Sequence, residues 1–482
     1  MPAGKISHCK DIQYASRRQV GPHETKGFAF PMRIRIFPGM AVVSLSFADR
    51  FRFGRLGTLG FMVLLVAFYS PVSLRASSVD TVYLEIAVEG VRTVPVGVIP
   101  FGHDSSDWSL LDEHPEEILA RDFFLSGRLE PVPQPSFSRL AFFKARAAYY
   151  VTGQLSHRDD GTIQVDCRLK ATQSQQQIIG QSYPISPNQY REAIHDFADQ
   201  VLFQITGASG VASTRLAYVA KYKSDKQIIV SDYDGHNAAQ ITHGDGLHFM
   251  PSWNQDGSKL YYTRFQNSSS HLVERTVATG AERSLFSKLG QCFSPVANPT
   301  GADILFTVAS AGASDIWRGV PATGKTERLT YQKTSETSPS YSPNGQEILY
   351  SADRGGAPQI YIMDKDGADA RRVTFLGRYN ESAAWSPAGD RIVYTSMEGG
   401  QFNIYTCNLD GEDVVQLTSN AGNNEHPVWS PDGMLIAFSS TRSGTSQIYL
   451  MRKDGSGVTR ITSGVEHTWP TWAPFTPKGE NP

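Results

Sequence analysis

Cysteine is scarce in this 482-residue chain: Cys9, Cys167, Cys292 and Cys407 make up the set, and no two stand in a CxxC spacing. That excludes a zinc ribbon or a thioredoxin-like redox pair, and scattered buried thiols are expected rather than a Cys292–Cys407 disulfide. No G-x-S-x-G occurs, so the nucleophile elbow of an α/β-hydrolase-type peptidase is missing. H-E-x-x-H, a P-loop and a dinucleotide-binding glycine motif are missing too. Asp364-Lys365-Asp366-Gly367 lacks the downstream bidentate Glu of a calcium loop and falls where a hairpin turn is wanted. His243 and His248, five apart in a predicted loop, read as solvated histidines rather than metal ligands. No metal or cofactor is expected.

Positive charge is also short over most of the chain. Residues 1–76 hold eleven Lys/Arg against three Asp/Glu, whereas the remainder carries ten more acids than bases. An acidic body gives no footing to nucleic acid or to an anionic membrane surface, both of which reward basic patches.

What is present begins with a targeting pattern. Arg50, Arg52 and Arg55 precede an uncharged apolar run, Leu56 to Tyr69, which is followed by Pro71 and small residues through Ala76-Ser77-Ser78. Basic, then apolar, then small is the order of a secretory signal, and the run is short for a bilayer span. An uncleaved anchor is the alternative. Initiation at Met32 or Met40 would shorten the long leader.

The strongest feature is a repeat. Gly257, Gly301, Gly345, Gly389 and Gly433 stand 44 residues apart, and Ile228, Leu272, Ile316, Ile360, Ile404 and Ile448 keep the same step. Each unit reads as four strands. In the unit starting at Trp429, a short apolar strand precedes a Pro431-Asp432-Gly433 turn. Strands follow at Leu435–Ser439 and Gln447–Met451, then an Asp454-Gly455 hairpin turn and a strand at Val458–Thr462. Four strands at this period specify a β-propeller. Residues 214–242 supply strands two to four of a unit that lacks its first strand; Trp469 to Pro474 supply that strand. Six blades closed by N/C-terminal pairing follow, and closure removes both free sheet edges.

Ahead of the repeat, the residues read as a small α+β domain. Strands are expected at Val82–Val88 and Val94–Phe101, and a helix opened by Pro115 at about Pro115–Leu125. A hairpin of Ala147–Thr152 and Ile163–Ala171 should turn at 158–161. A second helix, capped by Asn188, carries the stripe Ile194, Phe197, Val201 and Ile205. The expected organisation is mainly β: leader 1–76, α+β domain 77–206, linker 207–213, propeller 214–475 and tail 476–482.

The order of export signal, small α+β domain and W-S-P-D-G…Q-I-Y…D-G…R-I-T units resembles the TolB family, periplasmic propeller proteins of the Tol–Pal cell-envelope system. Thr93 to Phe101 (TVPVGVIPF) and Thr214 to Val219 (TRLAYV) add to the resemblance, which covers about residues 80 to 475. The first two complete units depart from it, with Trp253-Asn254-Gln255-Asp256-Gly257 and Ala297-Asn298-Pro299-Thr300-Gly301 in place of W-S-P-D-G. The resemblance implies a non-enzymatic periplasmic protein that binds the peptidoglycan-associated lipoprotein Pal with one propeller face and the inner-membrane protein TolA with its mature N-terminus. It also implies a role in outer-membrane integrity and constriction at cell division, and in colicin import in some species.

Two sets of residues are candidates for binding. Loops joining one blade's outer strand to the next blade's inner strand reach the central opening, and they carry His248, Gln291, Glu336, Asn380, Glu381, Asn424, Glu425, His426, Glu466 and His467. Glu336, Glu381, Glu425 and Glu466 would form a negative ring around the opening, attracting a polar or basic segment; local bonds to turn N–H groups are the alternative. The mature N-terminus, Ser78, Val79, Asp80, Thr81, Val82, Tyr83 and Leu84, is either an ordinary first strand or one that adds to a partner's sheet. Two other classes stay open: a propeller glycosidase or lyase using Glu336 and Glu425, and a propeller that binds cell-wall carbohydrate without turnover.

Overall fold

The computed structural model describes residues 93–475 except 105–107, 109–110, 112, 134–145, 245 and 311. The leader, the expected strand at Val82–Val88, the candidate segment Ser78–Leu84 and the tail after residue 475 lie outside the described residues. The described residues form one compact unit by their contacts.

Its first layer is a mixed sheet with two helices. Strands β1 (Val94–Val98), β2 (Gly102–His103), β3 (Leu129–Pro133), β4 (Tyr149–His157), β5 (Ile163–Ala171) and β6 (Gln177–Ile185) are ordered β3-β1-β4-β5-β6, with β2 on β4. Helix α1 (Pro115–Leu125) has the bounds its proline implies. Helix α2 (Tyr190–Thr206) is entered through a 3-10 turn at Pro187–Gln189 whose flanking residue is Ser186, not Asn188 as expected. The Ser186 N–H donates to the Gln189 side chain (3.4 Å), so the chain is turned one residue pair earlier than a simple Asn cap would place it. Strand one ends at Val98, short of Phe101, and β3 and β6 were not expected. The stripe on α2 is buried as its period demands, with Ile194, Phe197 and Val201 fully enclosed. Gly207 ends α2 in the left-handed region (φ 72°), its N–H donating to Phe203 O.

Six four-stranded blades follow. Blade one holds Arg215–Tyr222, Asp225–Asp232 and Ala239–Gln240, completed by His467–Trp472 as innermost strand. The inner strands of blades two to six are Leu247–Trp253, Gln291–Ala297, Glu336–Tyr341, Tyr379–Trp385 and Asn424–Trp429. Each inner strand touches the next around a closed circle. Closure is antiparallel, with Trp472 opposite Leu216 and His467 opposite Ala220. Outer strands are shorter than expected: blade six keeps only Thr459–Arg460 of the predicted Val458–Thr462.

A repeated device ends each outer strand. Thr242, Thr330, Thr374, Thr418 and Thr462 accept, through Oγ1, the N–H of the third strand's Ile228, Ile316, Ile360, Ile404 and Ile448 at 2.8–3.0 Å. The outer strand is too short to satisfy that donor by pairing, so a hydroxyl does it, and the threonine and isoleucine recur together for this reason. Blade two has Phe286 there instead, stacked on Phe306 at 5.1 Å.

The two layers share one hydrophobic cluster, which runs from Val96, Phe123 and Phe197 to Leu216, Tyr233, Leu435 and Trp472. Ionic contacts reinforce it. Arg121 and Arg191 both bond Asp234, in a turn of blade one, at 2.9 and 2.5 Å. Arg452 of blade six donates to Phe124 O (2.6 Å) and lies over that ring at 4.3 Å. These contacts fall at the hairpin turns between strands three and four, on the face that also carries the turns between strands one and two. The opposite propeller face, made of blade-to-blade loops and second-to-third-strand turns, is left uncovered by α1 and α2. No helix among the described residues is long and apolar enough to cross a membrane.

Candidate functional site

Every inner strand contains a bulge at the same place. Met250, Ser294, Ser338, Ser382, His426 and Trp469 all have φ between 48° and 55°, and the ladder shifts register around each. A left-handed non-glycine residue costs on the order of 1–2 kcal/mol. Six of them in one register mean that the ring geometry imposes the bend, which re-aims the side chains beside the axis.

The register sorts the expected site residues into two groups. Counting back from the aromatic at each inner-strand end, the fifth residue is His248, Glu336, Asn380, Asn424 or His467, and all five are buried. Cys292 holds the place in blade three and is a free buried thiol, as are Cys167 and Cys407. These side chains tie blades together. Asn380 Nδ2 donates to Gln359 Oε1 (2.9 Å), which also accepts from Thr374. Asn424 contacts Asn403 (3.3 Å), which accepts from Thr418. His467 Nδ1 lies 3.0 Å from Gln447 Oε1, which accepts from Thr462. His248 is therefore not solvated as expected; its Nδ1 faces Lys226 O (3.2 Å) and its Nε2 accepts from Arg264 (3.1 Å).

The ring of four glutamates consequently breaks up. Glu336 is one of the buried ties: burial pushes its carboxyl above the usual range although Arg354 bonds it at 3.2 Å. Glu466 lies one residue before the tie position and pairs with Lys221 at 3.4 Å. Gln291 stands in the corresponding place of blade three and accepts from Ser270 N–H and Oγ at 2.8 Å. Only Glu381 and Glu425 share the fourth position, half-buried in blades five and six. Burial raises both carboxyls; the Tyr379 hydroxyl, donating at 2.9 Å, counteracts this at Glu381, and the charge of Glu381 raises Glu425 further.

His426 and Trp469 extend this site. Their rings lie 5.0 Å apart, with Phe249 5.8 Å and the Lys226 ammonium 4.7 Å from the Trp469 ring. Burial, and secondarily Lys226, pushes His426 down to about 4, so it is neutral near pH 7; its Nδ1 is enclosed without a hydrogen-bond partner. The ring interior is thus two-sided: carboxylates on blades five and six, and an aromatic–cationic group centred on blade one. Trp469, Phe249 and Lys226 were not among the expected site residues. The signal was available, since Trp469 stands three before Trp472 as His426 stands three before Trp429.

Comparison with known proteins follows the same lines. A family model described as the TolB beta propeller domain matches residues 203–404 and 384–481. The protein titled Tol-Pal system protein TolB from Nitrosomonas europaea is 30% identical over 220 residues, covering 44% of this chain and 51% of the relative. Its namesake from Rickettsia peacockii is 30% identical over 203 residues, covering 39% and 46%. The chain thus spans about half the length of these curated relatives. The crystal structure of TolB from Acinetobacter baumannii superposes with a TM-score of 0.67 at 23% identity, over 80% of this chain and 97% of that one, which is a likeness of fold. With the closed six-bladed ring and the matched repeat together, the chain belongs to the TolB β-propeller family.

Proposed function

We propose that the protein is an exported, periplasmic, non-enzymatic component of a Tol–Pal system that holds a Pal-type peptidoglycan-associated lipoprotein on the uncovered propeller face. The observation that carries this reading is the pairing of Glu381 and Glu425 at one register of adjacent inner strands, beside Trp469 and neutral His426. Carboxylates poorly compensated at home are available to a visiting cation or N–H donor, and an aromatic wall beside them adds apolar contact. The segment Ser78–Leu84 serves as the TolA-binding strand in this reading, and the assembly supports outer-membrane integrity and constriction at division.

The burial of Glu336 favours a scaffold over a glycosidase or lyase. Of the two carboxylates such an enzyme would use, Glu336 is enclosed and bonded to Arg354, whereas Glu425 belongs to a different register. The test is calorimetric titration of the mature chain with the soluble domain of the Pal-type lipoprotein of the same organism. Binding is expected, with the E381Q/E425Q variant weaker by about tenfold or more. Equal affinity for both, or no binding, overturns the reading. Deletion of Ser78–Leu84 is expected to abolish binding of the TolA domain while sparing the Pal-type partner.

A further inference from the structure

The uncovered face is not uniform around its rim. Among the described residues, the three most exposed large hydrophobic side chains are Tyr331 (69%), Leu376 (64%) and Phe375 (63%). They occupy two consecutive blade-to-blade loops, between blades three and four and between blades four and five. Tyr331 and Phe375 are equivalent residues, each directly after the threonine that ends an outer strand. In the other blades that place holds His243, Ser287, Ser419 and Ser463. Two of six positions therefore depart from the small or polar residue the loop otherwise uses, and they are neighbours.

Both rings are held rather than loose. Arg328 lies over Tyr331 at 4.8 Å and Arg372 over Phe375 at 5.3 Å. Each arginine is fixed from below, its Nε donating to the carbonyl of Thr330 (2.7 Å) or Thr374 (2.5 Å). The Tyr331 hydroxyl donates to Arg328 O at 2.8 Å, which returns the polar tip to the loop and leaves the ring face outward. Elsewhere Gln240 and Gln416 make the same bond to the threonine carbonyl without a ring to support. The same place is an arginine in blade six as well, Arg460, where Ser463 follows the threonine, so the platform is made by adding a ring above an arginine the repeat already uses. A pre-ordered aromatic platform loses little side-chain freedom on contact, which is what an interface anchor needs.

The two loops that carry the platform are cationic, although Arg328 beneath Tyr331 is paired with Asp315 at 2.8 Å. They add Lys333 and Arg378, both exposed and with no ion pair among the described residues, and residues 329–334 and 373–380 contain no acid. The nearby Asp353 already accepts the Ser335 N–H at 2.8 Å. These loops are therefore apolar with two unpaired cations, Lys333 and Arg378, whereas the opening beside them carries Glu381 and Glu425.

The geometry points to Tyr331, Phe375 and Leu376 as the anchor for an acidic, apolar-bearing segment of the partner that enters the opening. This rests on the functional reading above and names a second, chemically opposite contact for the same partner. It also supplies what the axis cannot. A pseudo-sixfold ring offers a visitor several similar rotations; a platform on two adjacent loops, next to an acidic pair on blades five and six, selects one.

The experiment titrates the soluble domain of the Pal-type lipoprotein against the mature chain, the variant Y331S/F375S/L376S and the charge reversal K333E/R378E, in low and high salt. All the altered side chains are exposed, so unchanged melting temperatures are expected. The triple variant should bind at least about tenfold more weakly. The charge reversal should associate more slowly at low salt, with the difference shrinking as salt rises. Affinity within twofold of the unaltered chain for both variants overturns the inference while leaving the functional reading intact. Failure of the unaltered chain to bind overturns both. Sedimentation of the chain alone is the remaining arm: a dimer that Y331S/F375S/L376S dissolves would assign the platform to a second copy and overturn the partner named here.

Discussion

Trp472 donates its indole N–H to the Thr214 hydroxyl at 2.7 Å, across 258 positions of sequence, and both residues are buried. The bond sits at the seam where the last strand completes blade one, and the Trp472 ring also packs toward Tyr233 at 6.5 Å. W472A should destabilise the protein by about 3–5 kcal/mol, because it removes a large ring and opens a cavity at the seam. T214V, which leaves the shape but orphans the indole donor, should cost about 1–3 kcal/mol. Urea denaturation of both variants checks this; a W472A loss under about 1 kcal/mol would mean the seam does not hold the ring.

The threonine–amide ties between blades give a second expectation. Thr374 accepts the Ile360 N–H and donates its hydroxyl hydrogen bond to Gln359 Oε1, which also accepts from Asn380 of the next blade. T374V retains the volume, leaves the Ile360 N–H unpaired and removes one of the two bonds to Gln359 Oε1, so a loss of roughly 1–3 kcal/mol is expected with partner affinity unchanged. Asn380 is thus expected to report on stability, and Glu381 beside it on binding.

His195 gives a dependence on pH. It lies between Asp122 (2.8 Å from Nδ1) and Asp234 (3.9 Å from Nε2), with Tyr233 donating to Asp122 at 2.6 Å. Arg191, Arg121, Glu113, Asp232, Asp199 and His236 complete the surrounding charges. Burial alone would lower the imidazole, but Asp122 and Asp234 overcome it and hold it above the ordinary 6.5. A raised histidine contributes stability fully below its unfolded value and loses it as pH rises through the folded value. H195Q should therefore cost more stability at pH 6 than at pH 9. Melting curves across that range test the sign; an equal loss at both ends refutes it.

The carboxylate pair titrates in the other sense for binding. Glu381 and Glu425 are raised above the ordinary glutamate value, so they shed charge at a higher pH than a solvated glutamate does. Partner affinity should fall as pH is lowered from 7.5 toward 5, and the slope should flatten in E381Q/E425Q. Titrations at constant ionic strength check both.

Much of this architecture was legible because the repeat is written in turn chemistry. Glycine every 44 residues and the Ile228-to-Ile448 series located the blades, and the split unit at 214 and 469 located the seam. The α1 bounds followed from Pro115. The strands β3 and β6 were missed: the residues Leu129–Pro133 are rich in proline, and Gln177–Ile185 is half-exposed, so neither shows a clean alternation. The glutamates misled because loop proximity was counted instead of register. Glu336 stands five before Tyr341, whereas Glu381 stands four before Trp385, and one residue moves a side chain from between blades to the opening.

The unbroken apolar cluster from Val96 to Trp472 has a mechanical corollary. Phe197, Leu216, Tyr233 and Leu435 belong to one packed body, so swinging the helical layer away from blades one and six would expose that shared apolar surface. Force applied to that layer would be transmitted into blade one, where the C-terminal strand His467–Trp472 is seated.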